Sequence, residues 1–266
     1  MFALYACITL HFYVKLPHVS AEELAPSKIG IVIMHGKGGS PTKYVSELAN
    51  TLESKGYLVA NLEMPWSKNR EYDTTAEDGV QEVATALSVL QSKGAQKLFV
   101  SGHSQGRVFA LHVGGQLSVD GIIAIAPGGN VSSSVFKEQL SDVVKKAREL
   151  VAQGKGDEKG DFFDYEGSKG KLSIYCSANN YLSWFDPAGA MNESRAIGKI
   201  VSSMPVLFIA PKQDYPGLLK VKQKMFTALL PNPYATLYEP NATHLNAPSE
   251  STDEIAKWML SIANKQ

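Results

Sequence analysis

From Lys28 onward the 266-residue chain alternates short β-branched apolar runs with longer amphipathic stretches, and this alternation constrains its fold more than any other feature. Buried strands separated by helices are the pattern of βαβ units, in which the strands run parallel and the helices cover the sheet. The expected strands are Ile29–Met34, Tyr57–Leu62, Leu98–Ser101, Gly121–Ile125, Val206–Ala210 and Ala235–Tyr238. The spacing predicts helices at Lys43–Lys55, Ala76–Lys93, Gln105–Gln116, Ser134–Gln153, Gly217–Leu229 and Thr252–Ala263. Ala76, Val80, Val83, Leu87 and Leu90, for instance, recur at the 3.6-residue period of a helix laid on a sheet.

The rhythm breaks between Gly154 and Lys199, where a polar, glycine-punctuated stretch precedes the aromatic run Tyr181–Pro187. Residues 131 to about 200 are therefore expected to form an insertion over one edge of the sheet and over the site. The rest, residues 22–266, reads as a single α/β domain, a normal size for this class.

Composition removes several function classes. Lys plus Arg and Asp plus Glu both number 26, so no net field draws the chain to nucleic acid or an anionic membrane. The two cysteines, Cys7 and Cys176, are too few for a disulfide framework and too far apart for a zinc or redox motif. No metal or organic cofactor is implied. Residues 1–21 are a candidate leader: Met1–Val14 is apolar, and Val19-Ser20-Ala21 before Glu22 resembles a small-residue cleavage site. No cation precedes that run, and Lys15 and His18 follow it. Cleavage there would make the protein exported, and without it the protein would be cytoplasmic. The run is too short to span a membrane, and Leu4-Tyr5-Ala6-Cys7 only faintly matches a lipoprotein box.

Gly102-His103-Ser104-Gln105-Gly106 carries the chemistry. A G-x-S-x-G match is weak alone, but here a predicted strand runs into it and a predicted helix continues from it, the setting of a nucleophile elbow. A serine hydroxyl needs a base. Of six histidines, His11 and His18 lie in the leader, His35 and His103 sit inside turns, and His112 lies two turns down the nucleophile helix. His244, between the last strand and the last helix, is left. The carboxylate that must orient it is expected at Asp214, just past the strand Val206–Ala210, with Asp186 as the alternative. For the oxyanion, the backbone amides of Gln105 and of Lys37 in Met34-His35-Gly36-Lys37-Gly38-Gly39-Ser40 are the expected donors.

These residues together resemble the α/β-hydrolase superfamily over residues 28–264: a His-Gly-x-Gly-Gly loop after a strand, the serine motif, then an Asp and a late His. The resemblance implies a mostly parallel, doubly wound sheet and a Ser104–His244–Asp214 triad with Lys37 and Gln105 at the oxyanion hole. It implies a serine hydrolase of the esterase/lipase-like kind without specifying the substrate, and hydrolysis of a small to medium carboxylic ester is the leading expectation. A binding or receptor protein with slow turnover, or an acyltransferase, are the alternatives on the same scaffold. Trp66, Tyr181, Trp184 and Phe185 are candidates for an apolar substrate pocket. Arg107, where many relatives have a small residue, is expected at the surface beside an acid.

Overall fold

The computed structural model describes residues 23–167, 169–229 and 232–265. The candidate leader, with Cys7, His11 and His18, lies outside the described residues. In chain order the elements are β1 (Ile29–Met34), α1 (Ser46–Ser54), β2 (Leu58–Leu62), α2 (Ala76–Ser92), β3 (Lys97–Ser104), α3 (Gln105–Gly114) and β4 (Gly121–Pro127). There follow α4 (Ser134–Ala152), β5 (Lys159–Glu166), β6 (Gly170–Ser177), α5 (Ala178–Phe185), α6 (Glu193–Gly198) and β7 (Val206–Ile209). The chain closes with α7 (Pro216–Leu219), α8 (Lys222–Thr227), β8 (Ala235–Tyr238), α9 (Ala247–Glu250) and α10 (Thr252–Ala263).

Six strands form one sheet in the order β2-β1-β3-β4-β7-β8, and every neighbouring pair is parallel. Side chains alternate across it, so each central strand feeds two cores. Ile29, Ile31 and Ile33 of β1, with Phe99, Ile123, Ile125, Leu207 and Ile209, pack with α1 and α10 on one face. Val32, Met34, Val100, Ile122, Ala124, Val206 and Phe208 pack with α2 and α3 on the other. Strands buried on both faces read as continuous apolar runs, which is why their sequence signal is strong. The strand order reverses between β1 and β3, and a crevice opens at such a switch point beyond the carboxyl ends of the strands.

Two departures have physical causes. The helix expected over Gly217–Leu229 is split into α7 and α8, and neither contains a buried residue. Met225 and Phe226 of α8 are only partly buried against the core, with the Phe226 ring 5.9 Å from that of Phe208, a partial anchor for so short a helix. Residues 131–200 contain α4, an antiparallel β5–β6 hairpin, α5 and α6. Since β4 pairs directly with β7, this whole segment is an elaborated crossover between two neighbouring strands. The hairpin buries Phe162, Asp164, Ile174 and Cys176 on one face and exposes Phe163 and Tyr175 on the other. No helix among the described residues is long and apolar enough to cross a membrane.

Candidate active site

At the carboxyl end of β3 the chain passes from strand to helix with no intervening residue: Ser104 ends β3 and Gln105 begins α3. Ser104 therefore has φ 55° and ψ −113°, a conformation that costs an L-residue energy and is tolerated where the surroundings enforce it. The enforcement is visible next door. His103 pairs with Ile125 but Ser104 with Pro127, so Ala126 is left over as a bulge with φ 49°. A Cβ on Gly102 would overlap the Gly106 carbonyl, and one on Gly106 would lie 2.6 Å from the Met34 carbonyl oxygen. Both glycines of the motif are thus required by close backbone approach.

His244 accepts from the Ser104 hydroxyl through Nε2 at 2.9 Å, and its Nδ1–H donates to Asp214 Oδ1 at 2.8 Å. The carboxylate can only accept, which assigns the tautomer. Asp214 is almost fully buried, and its Oδ1 also accepts the Tyr215 amide at 2.7 Å. The acid and base loops are joined beyond the strands that precede them. Past β7 and β8, Lys212 donates its amide to the Pro240 carbonyl, and residues Gln213 and Thr243 pair in parallel register.

His103 and His35, set aside in the sequence reading as turn residues, support the site. His103 Nε2–H donates to the His244 carbonyl at 2.8 Å, and the two imidazoles lie 5.1 Å apart. Burial, reinforced by the neighbouring His244, pushes the His103 pKa down to about 3. His103 therefore stays neutral and sets the height of the base's backbone without adding charge beside it. His35 accepts the Met64 amide on Nε2 and donates from Nδ1 to the Gly36 carbonyl, shaping the glycine loop. A histidine immediately before the nucleophile and one opening the glycine loop were visible in the sequence, but nothing there gave their partners.

In that loop the amides of Gly38 and Gly39 are taken, by the Trp66 and Gly36 carbonyls at 3.2 and 3.0 Å. Neither is free to serve the oxyanion, and Lys37, between Gly36 and Gly38, is the expected donor. Gln105, as the first residue of α3, has an amide with no earlier carbonyl in the helix to accept it. The Lys37 side chain turns away, its ammonium held by Asp164 Oδ1 at 2.5 Å and the Tyr165 carbonyl at 2.7 Å.

The aromatic pocket expectation is corrected. Trp66, Tyr181, Trp184 and Phe185 are all buried, and they pack on one another. Trp66 donates to the His35 carbonyl, Trp184 to that of Thr74 and Tyr181 to that of Phe163, each at 2.7–2.9 Å. They clamp the glycine loop and the hairpin as core. Phe185 also borders a cavity of about 130 Å³ shared with Val131, Leu140, Val144 and Pro187. The exposed aromatics beside the site histidines are instead Tyr44 and Tyr215, each about half exposed, with rings 6.5 Å from His103 and 4.9 Å from His244.

Asp186 is bonded to Arg148 at 2.8 Å, not to His244. Arg107 does pair with an acid, Glu193, at 2.6 Å, but the pair is buried between α3 and α6 and not on the surface. His112 pairs with Gln116 down the helix. Burial pushes the Cys176 thiol up to about 12, so it stays protonated and offers no competing nucleophile.

No protein-family model matches the chain. Esterase EstD of Thermotoga maritima is 25% identical over 121 residues, 41% of this chain and 29% of that protein. The match thus spans less than a third of the length of this curated relative. Among solved structures, a Paleococcus ferrophilus monoacylglycerol lipase superposes with TM-score 0.61 at 19% identity, covering 90% of this chain and 96% of that one. A structure described under the metagenome-derived lipolytic enzymes LipS and LipT gives 0.59 at 17%, covering 91% and 96%. The siderophore hydrolase EstB of Aspergillus fumigatus gives 0.60 at 15%, covering 92% and 94%. With the strand order, the elbow and the loop positions, these likenesses carry one conclusion: the chain has the α/β-hydrolase fold.

Proposed function

We propose that the protein is a serine hydrolase that cleaves a small to medium carboxylic ester through an acyl-enzyme. The observation that carries this is the continuous relay from the strained Ser104 through His244 to the buried Asp214, at 2.9 and 2.8 Å. In the first half-reaction Ser104 Oγ attacks the ester carbonyl carbon while its proton passes to His244 Nε2. Asp214 stabilises the imidazolium, and the Lys37 and Gln105 amides receive the negative oxygen of the tetrahedral intermediate. Collapse breaks the bond to the alkoxy oxygen, which leaves as an alcohol with the proton from His244. Water then repeats the sequence on the acyl-Ser104 ester, releasing the acid.

The names of the structural relatives, which include esterases and lipases, support an ester over an amide. The half-exposed rings of Tyr44 and Tyr215 beside the histidines suit an uncharged ester. The test is turnover of a chromogenic short-chain ester together with labelling by a fluorophosphonate. Wild type should hydrolyse the ester and be labelled at Ser104. Ser104→Ala should stay folded, lose labelling and lose several orders of magnitude in kcat. Labelling elsewhere, or turnover retained in Ser104→Ala, would overturn the reading. A wild type that is labelled at Ser104 but turns over no ester would favour a binding protein.

A further inference from the structure

The two residues proposed to supply the oxyanion amides lie on separate elements, one in the loop after β1 and one at the start of α3. Their side chains nevertheless converge on one carboxylate. Lys37 Nζ donates to Asp164 Oδ1 at 2.5 Å, and Gln105 Nε2 donates to Tyr72 Oη at 3.2 Å. Tyr72 in turn donates its hydroxyl to Asp164 Oδ2 at 3.2 Å. Asp164 Oδ1 also accepts the Tyr165 amide at 2.6 Å. Both carboxylate oxygens are therefore used, each toward one half of the oxyanion hole.

We infer that Asp164, carried in by the β5–β6 hairpin, is a positioning residue that sets the relative placement of the Lys37 and Gln105 amides. It touches neither substrate nor the reacting atoms, and it rests on the proposed roles of those two amides. Three features fit a part built for this task. Asp164 is buried on the hairpin face that otherwise holds Phe162, Ile174 and Cys176, an unusual place for a carboxylate unless its partners need it. Tyr72 is held at φ 59° by its amide bond to the Pro65 carbonyl at 2.6 Å and by Asn180 Nδ2 on its own carbonyl at 3.0 Å. A bulky residue in the left-handed region marks a place where position outweighs local comfort. Burial and the adjacent Asp164 push the Tyr72 phenol well above its ordinary range, so it remains a hydrogen-bond donor.

The geometry has a kinetic consequence. A hydrogen bond to an oxyanion strengthens as charge develops, so misplacing its donor by a fraction of an ångström raises the barrier without weakening ground-state binding. Removing one such donor outright costs about 10² to 10³ in kcat in a well-studied protease, and displacement should cost less.

The experiment compares wild type, Asp164→Asn, Tyr72→Phe and the double variant by kcat and KM on a chromogenic ester and by affinity for an arylboronic acid. The boronate adds to a serine as a tetrahedral adduct whose negative oxygen sits at the oxyanion site, so with Ser104 and His244 unchanged its affinity reports on the donors there. Asp164→Asn should lower kcat about 10-fold or more, with KM within about threefold and boronate affinity falling in step with kcat. Tyr72→Phe should show a smaller loss of the same kind, and the double variant should be no worse than Asp164→Asn, because the Tyr72 path runs through Asp164. An Asp164→Asn that loses only thermal stability, with kcat and boronate affinity within twofold of wild type, would reduce Asp164 to a hairpin anchor and overturn the inference. If Asp164→Asn fails to fold, Tyr72→Phe decides: wild-type kcat and boronate affinity in a folded Tyr72→Phe would overturn it equally. Failure of the underlying reading looks different, since wild type would then bind no boronate or Ser104→Ala would retain turnover.

Discussion

Gln213 donates its backbone amide to the Ala242 carbonyl at 3.0 Å, which ties the loop of Asp214 to the loop of His244, one residue before the first and two before the second. The relay geometry thus depends on backbone zipped past the ends of β7 and β8, more than on the side chains alone. Gln213→Pro removes that donor. The expected result is a fall in kcat of about 10²-fold, the usual cost of displacing a reacting group by an ångström. Steady-state kinetics run well below the variant's melting temperature check it, and unchanged kcat would show that the tether holds nothing in place.

The acid itself is tested by two substitutions. Asp214→Asn should preserve the fold but favour the wrong His244 tautomer, a loss of roughly 10⁴ in the analogous protease experiment. Asp186→Asn removes only an exposed bond to Arg148 and should leave kcat intact, with about 0 to 1 kcal/mol of stability lost. The opposite ranking in kcat would move the acid to Asp186.

The buried Arg107–Glu193 pair carries a stability prediction. Glu193→Ala leaves a guanidinium with no exposed surface and no counter-charge, which should cost about 3 to 5 kcal/mol. Arg107→Met combined with Glu193→Leu removes both charges and should recover most of that. Urea midpoints of the three proteins decide: a double variant no more stable than Glu193→Ala would mean that lost packing, not the stranded charge, dominates.

Acid stability follows from two histidines. Burial holds His103 down to about 3 and His112 down to about 4, both below the ordinary 6.5. Between those values and 6.5 the unfolded chain binds more protons than the folded one, so their contribution to stability is complete above 6.5 and is lost as pH falls. Melting temperature should therefore decline below pH 6.5, and His112→Gln should decline less steeply than wild type between pH 6.5 and 4. Parallel curves for the two proteins would contradict this.

Where residues act through the period of their own element, the sequence was readable. The isoleucines of β1 and the glycines around Ser104 reveal strand and elbow because burial on both faces and backbone crowding select residue type locally. His244 and Asp214 could be reached by elimination and by position after a strand. The hairpin was missed because its buried face includes Asp164, whose charge hides the two-residue alternation until Lys37 and Tyr72 are seen beside it. Trp66 and Trp184 were misplaced for a related reason: an aromatic beside a motif looks the same in sequence whether it lines a pocket or packs beneath it. Arg107 was placed at the surface because its partner, Glu193, is far away in the chain.

The adjacency of β4 and β7 also bears on how the fold comes into being. The nucleophile elbow, the glycine loop and four of the six strands are complete by residue 127, whereas Asp214 and His244 arrive only after the crossover of residues 128–205. A chain emerging amino end first thus holds β4 as an apolar edge until β7 appears, and closing so long a loop is slow. Secondary structure should return early on refolding, with the proposed hydrolysis the last property to recover.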